Sequence, residues 1–337
     1  MDAGLQSRDE GADDAVGESM DDDFIHQALL AKELLARELL SGLERTEKTI
    51  NPKFFYDERG SQLFDRITTV PEYYLTRTEI DILTRHAEAI AGCMGASPVL
   101  IEPGAGNCGK VRYLLESIRP AVYLPQDISA DFLYQTTGDL VRLYPWLRVH
   151  PLVGDFSTGI ALPNNLPAGR RVVFYPGSTI GNFEPSSAIR FLRSMRDLVG
   201  SDGGLVMGVD LQKDPHILNA AYNDADGITA EFNLNILANV NKILDTDIVI
   251  ENFSHHAFYN TDEHRIEMHL VSECDQEIHC FDGCLRFSAG ETIRTEYSYK
   301  YTEQDFARLA QEAGFTLNKS WLDEEGLFSV HYLEVEG

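Results

Sequence analysis

The stretch Val99–Lys110 reads VLIEPGAGNCGK. PVLIE is a short apolar run with the length of a buried strand. Gly104, Gly106 and Gly109 follow it in G-x-G-x-x-G spacing. Glycines so placed let the backbone turn sharply and approach a ligand closely, at the start of the helix predicted for VRYLLESI. Strand, glycine loop and helix together open a nucleotide-type α/β fold. By itself the loop leaves its ligand undecided, since a lone glycine fingerprint is a weak signal.

Outward from the loop the same rhythm continues. AVYLPQDIS gives a second strand ending at Asp127, and ADFLYQTTGDLVRLYP a helix. LRVHPLVGDF gives a third strand. RRVVFYPGSTIGNF gives a fourth, SSAIRFLRSMRDLV its helix, and GGLVMGVDLQ a fifth strand. Strands alternating with helices predict a parallel sheet covered on both faces. Past Asp210 the rhythm breaks. HILNAAYNDADGITAEFNLNILANVNKIL reads as mostly helical. HAFYNTDEHRIEMHLVSE and EIHCFDGCLRFSAGETIRTEYSYKYT alternate with period two, as antiparallel strands do. The chain then returns through the helix EQDFARLAQEAGF to a closing hairpin, LNKSWLDEEGLFSVHYLEVE.

Upstream, residues 1–23 are acidic and almost free of large apolar side chains, which predicts a disordered tail. FIHQALLAKELLARELLSGL has the three- and four-residue spacing of an amphipathic helix. Gly60-Ser61 opens a short helical stretch, and Thr76 or Thr78 could cap a helix running to about Ile90. The fold class expected is α/β: a Rossmann-like sheet domain carrying an inserted α+β subdomain. The boundaries are a tail at 1–23, an N-terminal helical part of the subdomain at 24–76, the sheet domain at 77–212, the subdomain at 213–299, and a return to the sheet domain at 300–337.

Composition narrows the partners. The chain has 337 residues, 28 Lys+Arg against 54 Asp+Glu, and a formal charge of -26. Such a surface repels phosphate backbones and anionic lipid, so the expected partner is a small zwitterionic or cationic molecule rather than nucleic acid or membrane. Five cysteines (Cys93, Cys108, Cys274, Cys280, Cys284) follow no regular frame. They read as free thiols of a reducing, cytoplasmic compartment. Cys280 and Cys284 near His279 lack the paired-knuckle spacing of a zinc site, so no metal is expected. No signal pattern or membrane-length apolar run is apparent.

Two ligands suit the loop: NAD, and S-adenosylmethionine (AdoMet). Asp127 at the end of strand two would bind ribose hydroxyls in either. Glu102, two residues before Gly104, sits awkwardly beside a pyrophosphate but suits a sulfonium and an amine. Asp155-Phe156 at the end of strand three can hold and stack an adenine, although Asp155 could equally be a loop cap. No Tyr-x-x-x-Lys pair or hydride-transfer histidine is evident. These features favour AdoMet.

The set YDERGSQLFDRITTVPEYYLTRTE, IEPGAGNCGK, PQDIS, GDF, FYPGSTIGNFEP, AAYNDADGITAEFNLNIL, HRIEMHL and FSAGETIRTEYSYKY closely resembles the histidine Nα-methyltransferases of the ergothioneine pathway. These pieces span nearly everything except the tail. The resemblance implies a class I methyltransferase domain, a substrate subdomain, AdoMet as cofactor and trimethylation of L-histidine to hercynine, by a monomer. Carried over by motif, Gly104, Lys110, Asp127, Asp155 and Phe156 would contact AdoMet. Tyr73, Asn182 and Tyr222 would hold the amino acid's α-amino and carboxylate groups. Tyr56 would sit near the amine and orient it.

ETIRTEYSYKY can also be read by geometry. In a strand, Thr295, Tyr297, Tyr299 and Tyr301 share one face, and Glu296, Ser298 and Lys300 the other. The aromatic face is expected to pack. The polar face is either solvated or, as the resemblance implies, meets an imidazole through Glu296 and Ser298. Met268, on one face with Ile266 and Leu270, would wall the ring slot or simply fill core. Relatives of the family methylate other amino-acid amines. A tryptophan-like substrate is therefore the competing enzymatic reading, and a non-catalytic AdoMet-binding protein the competing class.

Overall fold

A computed structural model describes residues 30, 32–280 and 283–336. The acidic tail and the start of the first predicted helix lie outside these residues. A helix at 32–43, α1, leads to the two-residue strand β1 (Lys48–Thr49) and a 3-10 turn, Pro52–Phe55. Helix α2 (Glu58–Ile67) begins with Asp57 accepting from Gly60 N–H at 2.7 Å. The start signal is this N-cap aspartate rather than Gly60-Ser61. Gly60 serves packing instead: a Cβ there would stand 1.7 Å from the Phe55 carbonyl oxygen. That tight contact seats the turn bearing Phe55 and Tyr56 on α2.

The single helix expected up to Ile90 is two, α3 (Tyr74–Arg85) and α4 (Ala87–Met94), joined at His86. No threonine caps α3; it starts from Tyr73, whose side chain makes no cap bond. Then come β2 (Val99–Pro103), α5 (Arg112–Ile118), β3 (Val122–Asp127), α6 (Ala130–Leu143), β4 (Leu152–Val153), β5 (Arg171–Tyr175), α7 (Pro185–Val199) and β6 (Gly204–Asp210). The third strand is thus only two residues long, because Pro151 and Gly154 bound it. After α8 (Pro215–Ala221) and α9 (Ile228–Leu244) come β7 (Phe253–Asn260), β8 (Arg265–Ser272), β9 (Gln276–Cys280), β10 (Gly283–Phe287) and β11 (Thr292–Tyr299). Helix α10 (Glu303–Glu312), β12 (Phe315–Leu322) and β13 (Phe328–Val335) close the chain.

The large sheet has the order β12-β13-β6-β5-β2-β3-β4. Strands β2 to β6 pair in parallel, while the closing hairpin β12–β13 adds antiparallel beside β6. Strand order reverses between β2 and β5, so a ligand crevice is expected outside their carboxyl ends. This is the class I methyltransferase architecture. A second sheet, β1-β11-β8-β7, is antiparallel except for β1. It is stitched to the end of the large sheet: Tyr301 N–H donates to Asp210 O (3.1 Å), and Gln212 N–H donates to Tyr301 O (3.0 Å). That splice carries the end of β11 to the crevice.

The pair β9–β10 stands apart as a hairpin. Cys284 there faces His279 across the strands. With Glu277 their donor atoms lie within 4.8 Å of one another, on a largely exposed face that Arg286 shares by pairing with Glu277. No helix among the described residues is long and apolar enough to cross a membrane.

Candidate active site

The glycine loop turns as its spacing requires. Gly104 and Gly106 have φ of +65° and +52°, in the left-handed region that favours glycine. A Cβ on Gly104 would stand 3.2 Å from the Phe156 ring, whereas Gly106 has nothing within 4 Å of where one would be. The loop is held from below by Asp127, whose carboxylate accepts from Gly106 N–H and Ser129 N–H, both at 3.0 Å. Phe156 packs its ring edgewise on Tyr175 and Phe191.

Asp155 combines two roles. It caps the turn at Ser157 N–H (2.8 Å), and it pairs with Lys53 at 3.3 Å. Those hydrogen bonds and Lys53 hold its carboxyl below the ordinary range, against the opposing cost of burial. Lys53 also pairs with Glu38, so the segment just before Tyr56 is tied to the cofactor edge.

Two expectations change. Glu102 does not present a negative charge to the crevice. It is buried under the loop, with the Tyr123 hydroxyl donating to it. Burial pushes it up to about 8, the hydrogen bond from Tyr123 notwithstanding, so near neutral pH it holds a proton. Its charge therefore cannot decide the ligand. Lys110 is not a free cation either. It pairs at 2.6 Å with the buried Glu79, which also accepts from Gly177 N–H. Glu79 was not read from the sequence as a site residue. It reaches these partners because Gly208 leaves room: a Cβ there would stand 2.0 Å from Glu79 Oε1.

The crevice fits an AdoMet-shaped ligand on its own terms. It offers two positive-φ glycines with open space at Gly106, carboxylates at the ends of β3 and β4, and a buried acceptor, Gln126 Oε1, without a partner among the described residues.

The second half of the site is built from distant segments. A 3-10 turn, Thr179–Asn182, lies flat on β11; a Cβ on Gly181 would stand 2.7 Å from Tyr299 O. This brings Asn182 Nδ2 to 3.4 Å from Glu296 Oε2. The Met268 backbone lies directly opposite Glu296 on β8, with its side chain buried. Tyr222, just past α8, donates to Ser298 Oγ at 3.0 Å. Tyr73 meets the Tyr222 ring edge-on at 6.4 Å and Phe64 at 6.3 Å. Tyr56 meets Phe64 at 5.9 Å and Phe232 at 6.0 Å. All seven predicted residues of this half converge.

The polar face of β11 is buried rather than solvated. Glu296, Ser298 and Lys300 are 9%, 3% and 2% exposed. The aromatic face packs as expected at Tyr299 and Tyr301, both 7% exposed, and is half-open only at Tyr297, which Arg265 and Arg294 cover at 3.5 and 3.8 Å. A register shift between Arg294 and Glu296 takes Thr295 out of the simple alternation. Its hydroxyl is buried, donating to Asn233 Oδ1 at 2.6 Å.

Burial raises Glu296 to about 7, with Lys300 pulling the other way. Tyr56 is crowded by protein yet 39% exposed along the crevice. Burial, then Glu296 and Asp127, push its hydroxyl well above the ordinary tyrosine range. Beneath the face lies a charge network that sequence reading left unassigned: Asp210 pairs with Lys300 (2.7 Å) and Lys213 (2.6 Å) and accepts from Tyr74 OH (2.7 Å). The only signal for it was the place of Lys300 on the face of Glu296 and Ser298.

Fold and crevice together define a class I AdoMet-dependent methyltransferase whose acceptor pocket is polar and buried. The pattern of the histidine-specific, SAM-dependent methyltransferases matches residues 35–335, and the chain belongs to that family. It is 39% identical over 308 residues to a histidine N-alpha-methyltransferase of Mycolicibacterium smegmatis, covering 89% of this chain and 94% of that one. It is 35% identical to ergothioneine biosynthesis protein 1 of Neurospora crassa, over 79% of this chain and 31% of that longer protein. A 4-dimethylallyltryptophan N-methyltransferase of Claviceps purpurea is 26% identical over 86% of this chain and 92% of its own.

Proposed function

We propose that this enzyme methylates the α-amine of L-histidine three times, giving hercynine, a step of ergothioneine biosynthesis. The observation that carries the reading is the buried pair Glu296 and Ser298, side by side on β11 beside Asn182 and Tyr222. A carboxylate and a hydroxyl so placed match the two nitrogens of an imidazole, and a site built for those bonds rejects rings that lack them. The name and high coverage of the mycobacterial relative support the same substrate.

When bound, AdoMet supplies a methyl group on a sulfonium, an electrophile already activated. The chain's task is then to position the amine. Gly104 and Gly106 leave backbone clearance, Asp127 and Asp155 offer acceptors to ribose and adenine, and Phe156 offers a stacking face; Lys110 would meet the donor's carboxylate by turning from its pair with Glu79. Asn182, Tyr73 and Tyr222 orient the amino acid's carboxylate and amine with neutral groups. Met268 closes the ring slot.

In the first two transfers Tyr56 accepts from an amine N–H and aims the lone pair; in the third, where the neutral dimethylated amine has no N–H, its ring only bounds the position of the nitrogen. Its strongly raised proton affinity argues for this orienting role over that of a phenolate base. The released proton leaves to water along the open side of its ring. The four-stranded sheet and the helices against it serve as the substrate subdomain. Free thiols and an acidic surface support a cytoplasmic monomer.

Mass spectrometry of single amino acids incubated with the protein and AdoMet tests the proposal. Histidine alone is expected to gain three methyl groups. Methylation of tryptophan instead would keep the cofactor assignment and overturn the pocket reading. AdoMet binding with no methylation of any amino acid would overturn the enzymatic one.

A further inference from the structure

Lys300 is one of the largest fully buried side chains of the protein, and the roles above leave it unused. Its ammonium has three N–H donors, and each has an acceptor. They are Asp210 Oδ2 at 2.7 Å, Ser298 Oγ at 2.8 Å and Tyr222 OH at 3.1 Å. A serine hydroxyl has one proton and two lone pairs. Lys300 occupies one lone pair of Ser298, and the Tyr222 hydroxyl, 3.0 Å away, occupies the other. With Tyr222 as the donor of that pair, the Ser298 proton has no acceptor on that side and donates into the pocket.

Glu296, one alternation along the same face, accepts when ionised. The end of the pocket thus presents one donor and one acceptor, with a fixed cation behind the donor. That arrangement complements a neutral azole carrying one N–H and one bare nitrogen. It opposes an imidazolium, whose two N–H groups would leave the Ser298 proton unpaired and face the charge of Lys300.

We infer that Lys300 is a positioning residue that locks Ser298 as a donor and thereby makes the ring subsite select a neutral, one-acceptor azole. The inference rests on the histidine reading of the pocket. Lys300 also acts on Glu296 through space, favouring its ionised form. The other titratable groups facing Glu296 are the phenols Tyr56, Tyr73 and Tyr222, all held neutral by burial. Removing the lysine charge should therefore move the acid limb of histidine use upward in pH.

The test uses the full chain as wild type, Lys300→Met and Lys300→Gln. Methyl transfer to histidine and to thienylalanine, whose ring has no nitrogen, is measured across pH. Histidine binding is measured by calorimetry with S-adenosylhomocysteine present. For Lys300→Met we expect histidine KM and Kd to rise about tenfold, the size of one lost polar contact. Its kcat should change less, its acid limb should move up, and its preference over thienylalanine should shrink. Lys300→Gln keeps an N–H for Ser298 without the charge, so its acid limb should move while its preference survives.

A folded Lys300→Met with wild-type preference and acid limb would overturn the inference, as would a loss of kcat alone with KM unmoved. If the Met variant does not fold, an unmoved acid limb in Lys300→Gln overturns it. If wild type fails to methylate histidine, the functional reading fails first and takes this inference with it.

Discussion

The two halves of the crevice are made in opposite ways. The cofactor edge is local: a strand, a glycine loop and short strand ends, with carboxylates that are partly open and engaged by neighbouring backbone N–H groups. The acceptor half joins Tyr56, Tyr73, Asn182, Tyr222, Met268 and Glu296 from six separate segments, and most of its polar atoms are buried. Hydrogen bonds from Ser157 and the charge of Lys53 outweigh burial and hold Asp155 below the carboxylate range, while burial raises Glu296 to about 7. A cofactor common to many enzymes can be held by a backbone device. A particular amino acid has to be read by desolvated side chains, where an unmade hydrogen bond is costly.

The sharpest way to break this contrast is Tyr56→Phe. If Tyr56 aims the amine, kcat should fall about 100-fold, the scale of a misaligned reactant. Single-turnover mass spectrometry of each methylation is the measurement, and unchanged rates in all three steps would remove Tyr56 from the chemistry.

Glu296→Ala comes next. Losing a hydrogen bond to a charged group should raise histidine KM roughly 10- to 100-fold, with little change in AdoMet affinity. In the wild type, histidine KM should fall as pH rises through about 7, because the carboxylate form accepts the ring N–H. A flat profile would deny Glu296 that role.

Gly104→Ala probes the other half. A left-handed alanine costs about 1–2 kcal/mol, and its methyl would press on the Phe156 ring. AdoMet affinity by calorimetry should weaken about tenfold. Histidine binding should change less; equal losses for both ligands would mean that the halves are not separable.

The smallest effect expected is on stability. Glu102 titrates near 8 in the fold, above its unfolded value. Its proton therefore stabilises the fold at low pH, and that contribution is lost as pH rises from the unfolded value through about 8, at up to about 1.4 kcal/mol per pH unit. Between pH 6.5 and 8, denaturant unfolding of Glu102→Gln should show a flatter decline than wild type. An identical slope would mean that Glu102 is already ionised.

The parallel sheet was legible in advance because short continuous apolar runs, glycine loops and amphipathic helices are local features of the sequence. The glycine loop, Asp127 and Asp155-Phe156 stood out for the same reason. Boundaries were less legible. Thr76 and Thr78 suggested caps, but both lie inside α3, which starts at Tyr74 without a side-chain cap, and the chain bends at His86. Glu102 was misjudged because a strand-end carboxylate reads as a charge, and only its burial against Tyr123 shows that it keeps its proton.

Sequence by itself determined the α/β order, the cofactor loop and the family, because these depend on short-range pattern and on several motifs in fixed order. Tertiary structure decided that the polar face of β11 is buried as well as the aromatic one, what Asp210 and Lys300 pair with, and that Glu79 grips Lys110. Alternation along a strand defines two faces but not whether either meets water. That choice follows from the splice of Tyr301 to the end of β6, a contact between residues about ninety positions apart that no local pattern encodes.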